Sequence, residues 1–138
     1  MSSTAIIQPV VVLGLWTTLI CIWMYVKRIP AMQKAGIDPQ AAKHVKDINL
    51  PSGVAQVADN YNHLFEQPTL FYAIALAIAV MGHGDETHVQ LAWAFVLLRI
   101  LHSLVQITVN IVLVRFAIFA LSWVALGAMI VREALMIF

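Results

Sequence analysis

Apolar residues run through this chain in four long stretches, roughly 6–26, 60–82, 89–111 and 112–137. Each is near the ~20 residues that an α-helix needs to cross a hydrocarbon core. The third stretch is interrupted by Arg99, His102, Ser103, Gln106 and Asn110. Their steps of three, one, three and four residues place them along one face of a helix. A stripe of this kind cannot face lipid, where each unsatisfied polar group costs several kcal/mol. It must look into a protein interior or a wet cavity.

The second stretch opens with a polar run of its own: Asp59, Asn60, Asn62, His63 and Glu66. Positions 59, 62, 63 and 66 share a helical face, so a second stripe is predicted to enter the bilayer from the same side. Pro68 removes a backbone donor and frees the carbonyl of Leu64, which predicts a kink turned toward other helices or water.

The pattern predicts an all-α integral membrane protein, a four-helix up-down bundle forming one domain over residues 1–138. The first stretch reads as a permanent span: Lys27 and Arg28 follow it, and no basic segment precedes its apolar run. Of the eight Lys and Arg residues, Lys27, Arg28, Lys34, Lys43 and Lys46 lie in or beside the connection between spans one and two. The turn between spans two and three instead holds Asp85 and Glu86. The positive-inside rule therefore makes the long loop, about 29–57, cytoplasmic and puts both termini on the non-cytoplasmic side. Within that loop residues 31–35 are expected to continue the first helix until Gly36 stops it, and Asp38-Pro39 is a turn signal. Trp23, Tyr25 and Trp93 fall near span ends, as interfacial aromatics do.

Composition sharpens the picture. The chain is 62% hydrophobic and 11% charged, against about a quarter charged in soluble domains. A net charge of +1 argues against nucleic-acid binding. Cys21 stands alone, so no internal disulfide forms and a small apolar filler is the expected role. The first span lacks the acidic residue of small proton-coupled exporters. His63 and His102 lie at different depths, which disfavours haem. His83 and His88, with Asp85 and Glu86, match no zinc spacing and are expected in a solvated turn. Arg132 and Glu133 are expected to anchor the far interface.

Depth predicts the site. Glu66 lies ~12 Å inside the cytoplasmic start of span two, and Arg99 ~18 Å from the same side on span three. A long arginine side chain closes that gap, so a Glu66–Arg99 ion pair is expected, with His63 facing Ser103 and Gln106. Such a pair either locks two helices together or belongs to a binding site. Arg115, at the start of span four, either snorkels to headgroups or turns inward as a second cation. Two arginines, a glutamate, amides and a hydroxyl suit a small polar anion with an apolar partner.

The segments Asn62-His63-Leu64-Phe65-Glu66-Gln67-Pro68-Thr69-Leu70-Phe71-Tyr72 and Ala92-Trp93-Ala94-Phe95-Val96-Leu97-Leu98-Arg99-Ile100-Leu101-His102-Ser103 resemble the MAPEG family, the membrane-associated proteins in eicosanoid and glutathione metabolism. The likeness is greatest to its compact bacterial branch, which implies a bacterial inner membrane. It implies a homotrimer with glutathione between protomers, and transferase, peroxidase or isomerase chemistry on lipophilic small molecules. It also implies ligand-binding roles for Glu66 and Arg99 and a place near the sulfur for Arg115. His63, Asn62, His102, Ser103 and Gln106 complete the expected ligand-binding set. This chain departs from the family pattern: Asn62 stands where the enzymes carry a span-two arginine and His63 where they carry asparagine. Gln106 replaces a tyrosine, and Phe116 a hydroxyl residue. The alternative to a glutathione-dependent enzyme is a non-catalytic trimer that binds membrane lipid or another small amphiphile.

Overall fold

The computed structural model describes residues 3–38, 40 and 50–138. Five helices follow one another: α1 (Ser3–Lys34), α2 (Ser52–His63), α3 (Gln67–Met81), α4 (Glu86–Ile107) and α5 (Val112–Ile137). With α2 and α3 taken as one interrupted span, four helical spans are long and apolar enough to cross a membrane. Among the described residues there is no strand. Consecutive spans alternate in direction. Gly84, before α4, packs on Ile6 near the start of α1, Gln56 of α2 bonds the end of α4, and Asp85 reaches Arg132 near the end of α5.

Helix α1 buries Ile6, Leu13, Thr17, Ile20 and Met24, whose spacing of seven, four, three and four is one helical stripe. Val11, Leu15, Leu19, Ile22 and Val26 face outward. So broad an apolar exterior suits lipid and would aggregate in water. The helix ends as expected. Gly36 takes φ +67°, with Ile37 N–H on Met32 C=O at 3.0 Å and Gly36 N–H on Gln33 C=O at 3.1 Å. That is the Schellman pattern, in which glycine adopts the left-handed conformation without a Cβ penalty. Helix therefore occupies 29–34 and 52–57 within the expected loop; Pro39, Lys43 and Lys46 lie outside the described residues.

The expected kink in span two is a break. Helix α2 stops at His63, and tight bonds carry the turn: Phe65 N–H to Asn62 C=O at 3.0 Å, and Glu66 N–H to His63 C=O at 3.2 Å. Glu66 adopts φ −92°, ψ −94°, and Pro68 falls in the first turn of α3. There its missing N–H costs nothing, whereas in mid-helix it would cost ~3 kcal/mol. The break also re-phases the chain. Gln56, Asn60, His63 and Gln67 turn inward, while Asp59, Asn62 and Glu66 are exposed, so the predicted 59/62/63/66 stripe is corrected.

Helix α4 begins at an Asp85 N-cap, whose Oδ1 accepts the His88 N–H at 2.9 Å. It ends at Ile107, short of Asn110, which closes the turn with φ +51° and is therefore off the predicted stripe. Asparagine is among the few residues that visit this conformation readily. The core joins all spans, with Phe71 of α3 stacked on Phe95 of α4 at 4.5 Å and Leu126 and Met129 of α5 closing the other side.

Candidate functional site

The break between α2 and α3, the middle of α4 and the first turns of α5 line a half-open cavity of about 270 Å³. His63, Glu66, Gln67, Arg99, His102 and Arg115 border it, with Val112, Phe116 and Phe119 as its apolar part. Five residues expected at the site therefore meet here: Glu66, Arg99, His63, His102 and Arg115. Arg115 is half-buried and borders the cavity, which decides between snorkelling and turning inward in favour of the latter.

Among the described Lys and Arg residues Arg99 is the most deeply buried, with 1% of its surface exposed. The expected Glu66–Arg99 ion pair is not formed. Among the described residues no carboxylate lies within ion-pairing distance of Arg99. Its Nη1 donates to Gln67 Oε1 at 3.2 Å and its Nη2 to the His63 C=O at 3.4 Å. The physical reason is the helix break: the turn at Glu66 leaves that side chain exposed at the border of the cavity, out of ion-pairing distance, and brings Gln67 to the arginine in its place. The carbonyl that receives Arg99 belongs to His63, not to Leu64 as expected for a simple kink.

Behind the cavity wall lies a layer of polar contacts. Ser103 Oγ donates to Asn60 Oδ1 at 2.9 Å, and His63 Nδ1 meets the Gln106 side-chain amide at 3.1–3.3 Å. Ser103 and Gln106 are buried as expected, but Ser103 faces Asn60 rather than His63. Asn62 is exposed and does not border the cavity.

Two residues of this network escaped the sequence reading. Gln67 receives both Arg99 and the Ser122 hydroxyl, the latter at 3.1 Å, and Ser122 is buried on α5. Ser122 is a lone polar residue in an apolar run, the signal that could have flagged it, whereas Gln67 stands directly beside Glu66 in a polar segment and offered no separate signal. Around the cavity several buried polar atoms lack a partner: Arg99 Nε, Gln67 Nε2, His102 Nδ1 and Arg115 Nε. Buried donors are ordinarily satisfied, so this end retains hydrogen-bonding capacity for an occupant.

The opposite end differs in that its charges at Asp85, Arg132 and Glu133 are paired, although His88 Nε2 and Glu133 Oε2 are also buried without a partner among the described residues. Asp85 Oδ2 accepts from Arg132 Nη2 at 2.9 Å, His83 Nδ1 meets Glu133 Oε1 at 2.7 Å, and His88 Nδ1 meets the His83 C=O at 2.9 Å. His88 is fully buried and Glu133 5% exposed. The expectations of a solvated histidine turn and of a simple interfacial anchor are thus corrected. The second Schellman turn explains it: Gly82 at φ +72° folds the chain back, with His83 N–H on Ile78 C=O at 3.0 Å, and sets His83 beside the last turns of α5. The His88 backbone N–H, assisted by Arg132, holds the Asp85 carboxyl below its ordinary range.

Comparison with curated proteins and with solved structures gave no match. The family model for the MAPEG family matches residues 6–135. With four apolar spans and a match over nearly its whole length, the chain belongs to the MAPEG family.

Proposed function

We propose that this membrane protein binds glutathione in the α2–α5 cavity and uses it as a transferase or peroxidase on lipophilic electrophiles. The observation that carries the reading is charge complementarity. Glutathione bears two carboxylates and one ammonium group. The cavity offers two guanidinium groups, Arg99 and Arg115, and one carboxylate, Glu66. Among the described residues none of these three is paired with an opposite charge, so all three remain available. Arginine suits carboxylate recognition because its planar fork gives two parallel hydrogen bonds.

Glutathione supplies a thiol, which with a free pKa of about 8.5 is only a few per cent ionised at neutral pH. In this reading Arg99 holds a carboxylate, Glu66 the ammonium group, and Arg115 favours negative charge at the sulfur. The thiol proton leaves to water. The sulfur then forms a bond to the electrophile, whose leaving group departs with the bonding pair. Val112, Phe116 and Phe119 form the apolar side along which a bilayer-dissolved substrate approaches.

The cavity's ≈270 Å³ falls just below the ~300–1,000 Å³ of ligand cavities. One protomer thus covers part of a tripeptide, which fits the homotrimer that the family resemblance implies. We place the cavity end at the cytoplasmic face, in accord with the positive-inside rule. The second reading, a non-catalytic binder of lipid or another amphiphile, draws on the apolar cavity side and on exposed Asn62 in place of the family arginine.

Calorimetric titration of the detergent-purified protein with glutathione decides between them. Heat that saturates in the millimolar range or below, and disappears in Arg99→Ala, supports the enzyme reading. No heat at millimolar glutathione overturns it, and a lipid retained in native mass spectra would then favour the second.

A further inference from the structure

We propose that Gln67 and Ser122 are positioning residues that hold the Arg99 guanidinium through a neutral acceptor, leaving its charge for an anionic group in the cavity. The inference rests on the reading of this cavity as an anion site, and goes beyond it by assigning two residues that only act through Arg99.

Arginine has donors and no acceptor, so the oxygen of the Gln67 amide must be the atom that faces Nη1. Ser122 Oγ lies 3.1 Å from that same oxygen and 2.7 Å from the Phe119 C=O. Its single proton is shared between two acceptors, and the contact ties α5 to the Arg99–Gln67 pair. Gln67 is 6% exposed, and its Nε2, like Arg99 Nε, is a buried polar atom without a partner. Two neutral acceptor oxygens, Gln67 Oε1 and the His63 C=O, therefore hold the guanidinium, the only side-chain one being that of Gln67, while donors on both side chains are left over.

Neighbouring positions make the choice of a neutral group plain. A carboxylate stands at 66 and an amide at 67, and the helix break buries the amide against Arg99 while the carboxylate stays exposed at the cavity border. A buried carboxylate at position 67 would quench the arginine and compete with any anionic ligand. An amide directs it and leaves its net charge intact.

The test uses the full chain in lipid nanodiscs with two readouts: phenylglyoxal modification of Arg99 mapped by mass spectrometry, and glutathione affinity. Gln67→Leu is expected to raise Arg99 modification severalfold, Ser122→Ala to raise it less, and Ser122→Thr to restore protection. Gln67→Glu is expected to keep Arg99 protected and the thermal midpoint no lower, yet to weaken glutathione roughly tenfold or more. A purely structural contact would not separate stability from affinity in this way. Unchanged Arg99 modification in Gln67→Leu overturns the proposal, as does wild-type glutathione affinity in Gln67→Glu. Should Gln67→Leu fail to fold, unchanged modification in Ser122→Ala overturns it instead. Wild-type protein that binds no glutathione would defeat the function proposed above, while the modification pattern still decides the positioning role.

Discussion

The two ends of the bundle use similar side chains to opposite effect. At the far end, Asp85 meets Arg132 and Glu133 meets His83 at 2.9 and 2.7 Å. At the cavity end, Arg99 and Arg115 stand with Glu66 around one cavity and form no ion pair among the described residues. Charges paired across neighbouring segments, from the turn before α4 to α5, fasten the fold. Arg99, held by neutral acceptors with its Nε left over, is disposed toward something else. A buried ion pair adds little net stability, but breaking it strands a charge. A buried cation without a carboxylate partner strands nothing when removed.

That contrast predicts a separation of stability from binding. Arg99→Met should give the largest effect, a loss of glutathione affinity of roughly tenfold to a hundredfold, equivalent to the ~1.5–3 kcal/mol of charged hydrogen bonds. Its stability should stay within about 1 kcal/mol of wild type, because Ser122 still donates to Gln67 Oε1 and Glu66 N–H still meets the His63 carbonyl. A calorimetric titration beside a thermal melt in the same detergent checks both halves, and a large fall in melting temperature would erase the contrast.

Glu133→Ala should behave in the reverse sense. It leaves His83 without its partner and opens a gap at a buried position, for a cost of about 2 kcal/mol, with glutathione affinity unchanged. Denaturant titration measures the first and calorimetry the second.

Asp85→Ala removes the α4 cap and should cost about 1 kcal/mol; the partly exposed Arg132 contact adds little. The Asp85 carboxyl titrates lower in the fold than in the unfolded chain. Its stabilising contribution is therefore complete above the unfolded value, about pH 4, and is lost as the pH falls through the folded one. Melts of wild type and Asp85→Ala should converge in acid and stay apart at neutral pH. Convergence at neutral pH would show that the cap contributes nothing.

The smallest effect is expected from Glu66→Gln. This exposed side chain has no ion-pair partner among the described residues, so stability should not change, and glutathione should weaken only a few-fold, about 0.5–1 kcal/mol. A fall in stability would mean that Glu66 fastens the helices after all.

Much of this was legible in the sequence. Apolar runs of membrane length need no partner to declare themselves, because helices are one of only two ways to satisfy backbone groups in lipid. The α4 face of Arg99, His102, Ser103 and Gln106 follows from helical period alone, and Gly36 announced the end of α1 through its tolerance of positive φ. What the sequence could not decide was phase. Pro68 signals a disturbance, but whether the helix bends or breaks depends on what can receive the freed backbone groups, and here Arg99 from α4 does so. That break exchanged Glu66 for Gln67 at the arginine. Likewise Glu133 and His83, fifty residues apart, become partners only because the Gly82 turn and the packing of α4 on α5 bring them together. Local pattern determined which segments are helices and which faces are polar. Only the tertiary structure decided which charges are paired and which are left open, because pairing is set by distances between helices that no local period encodes.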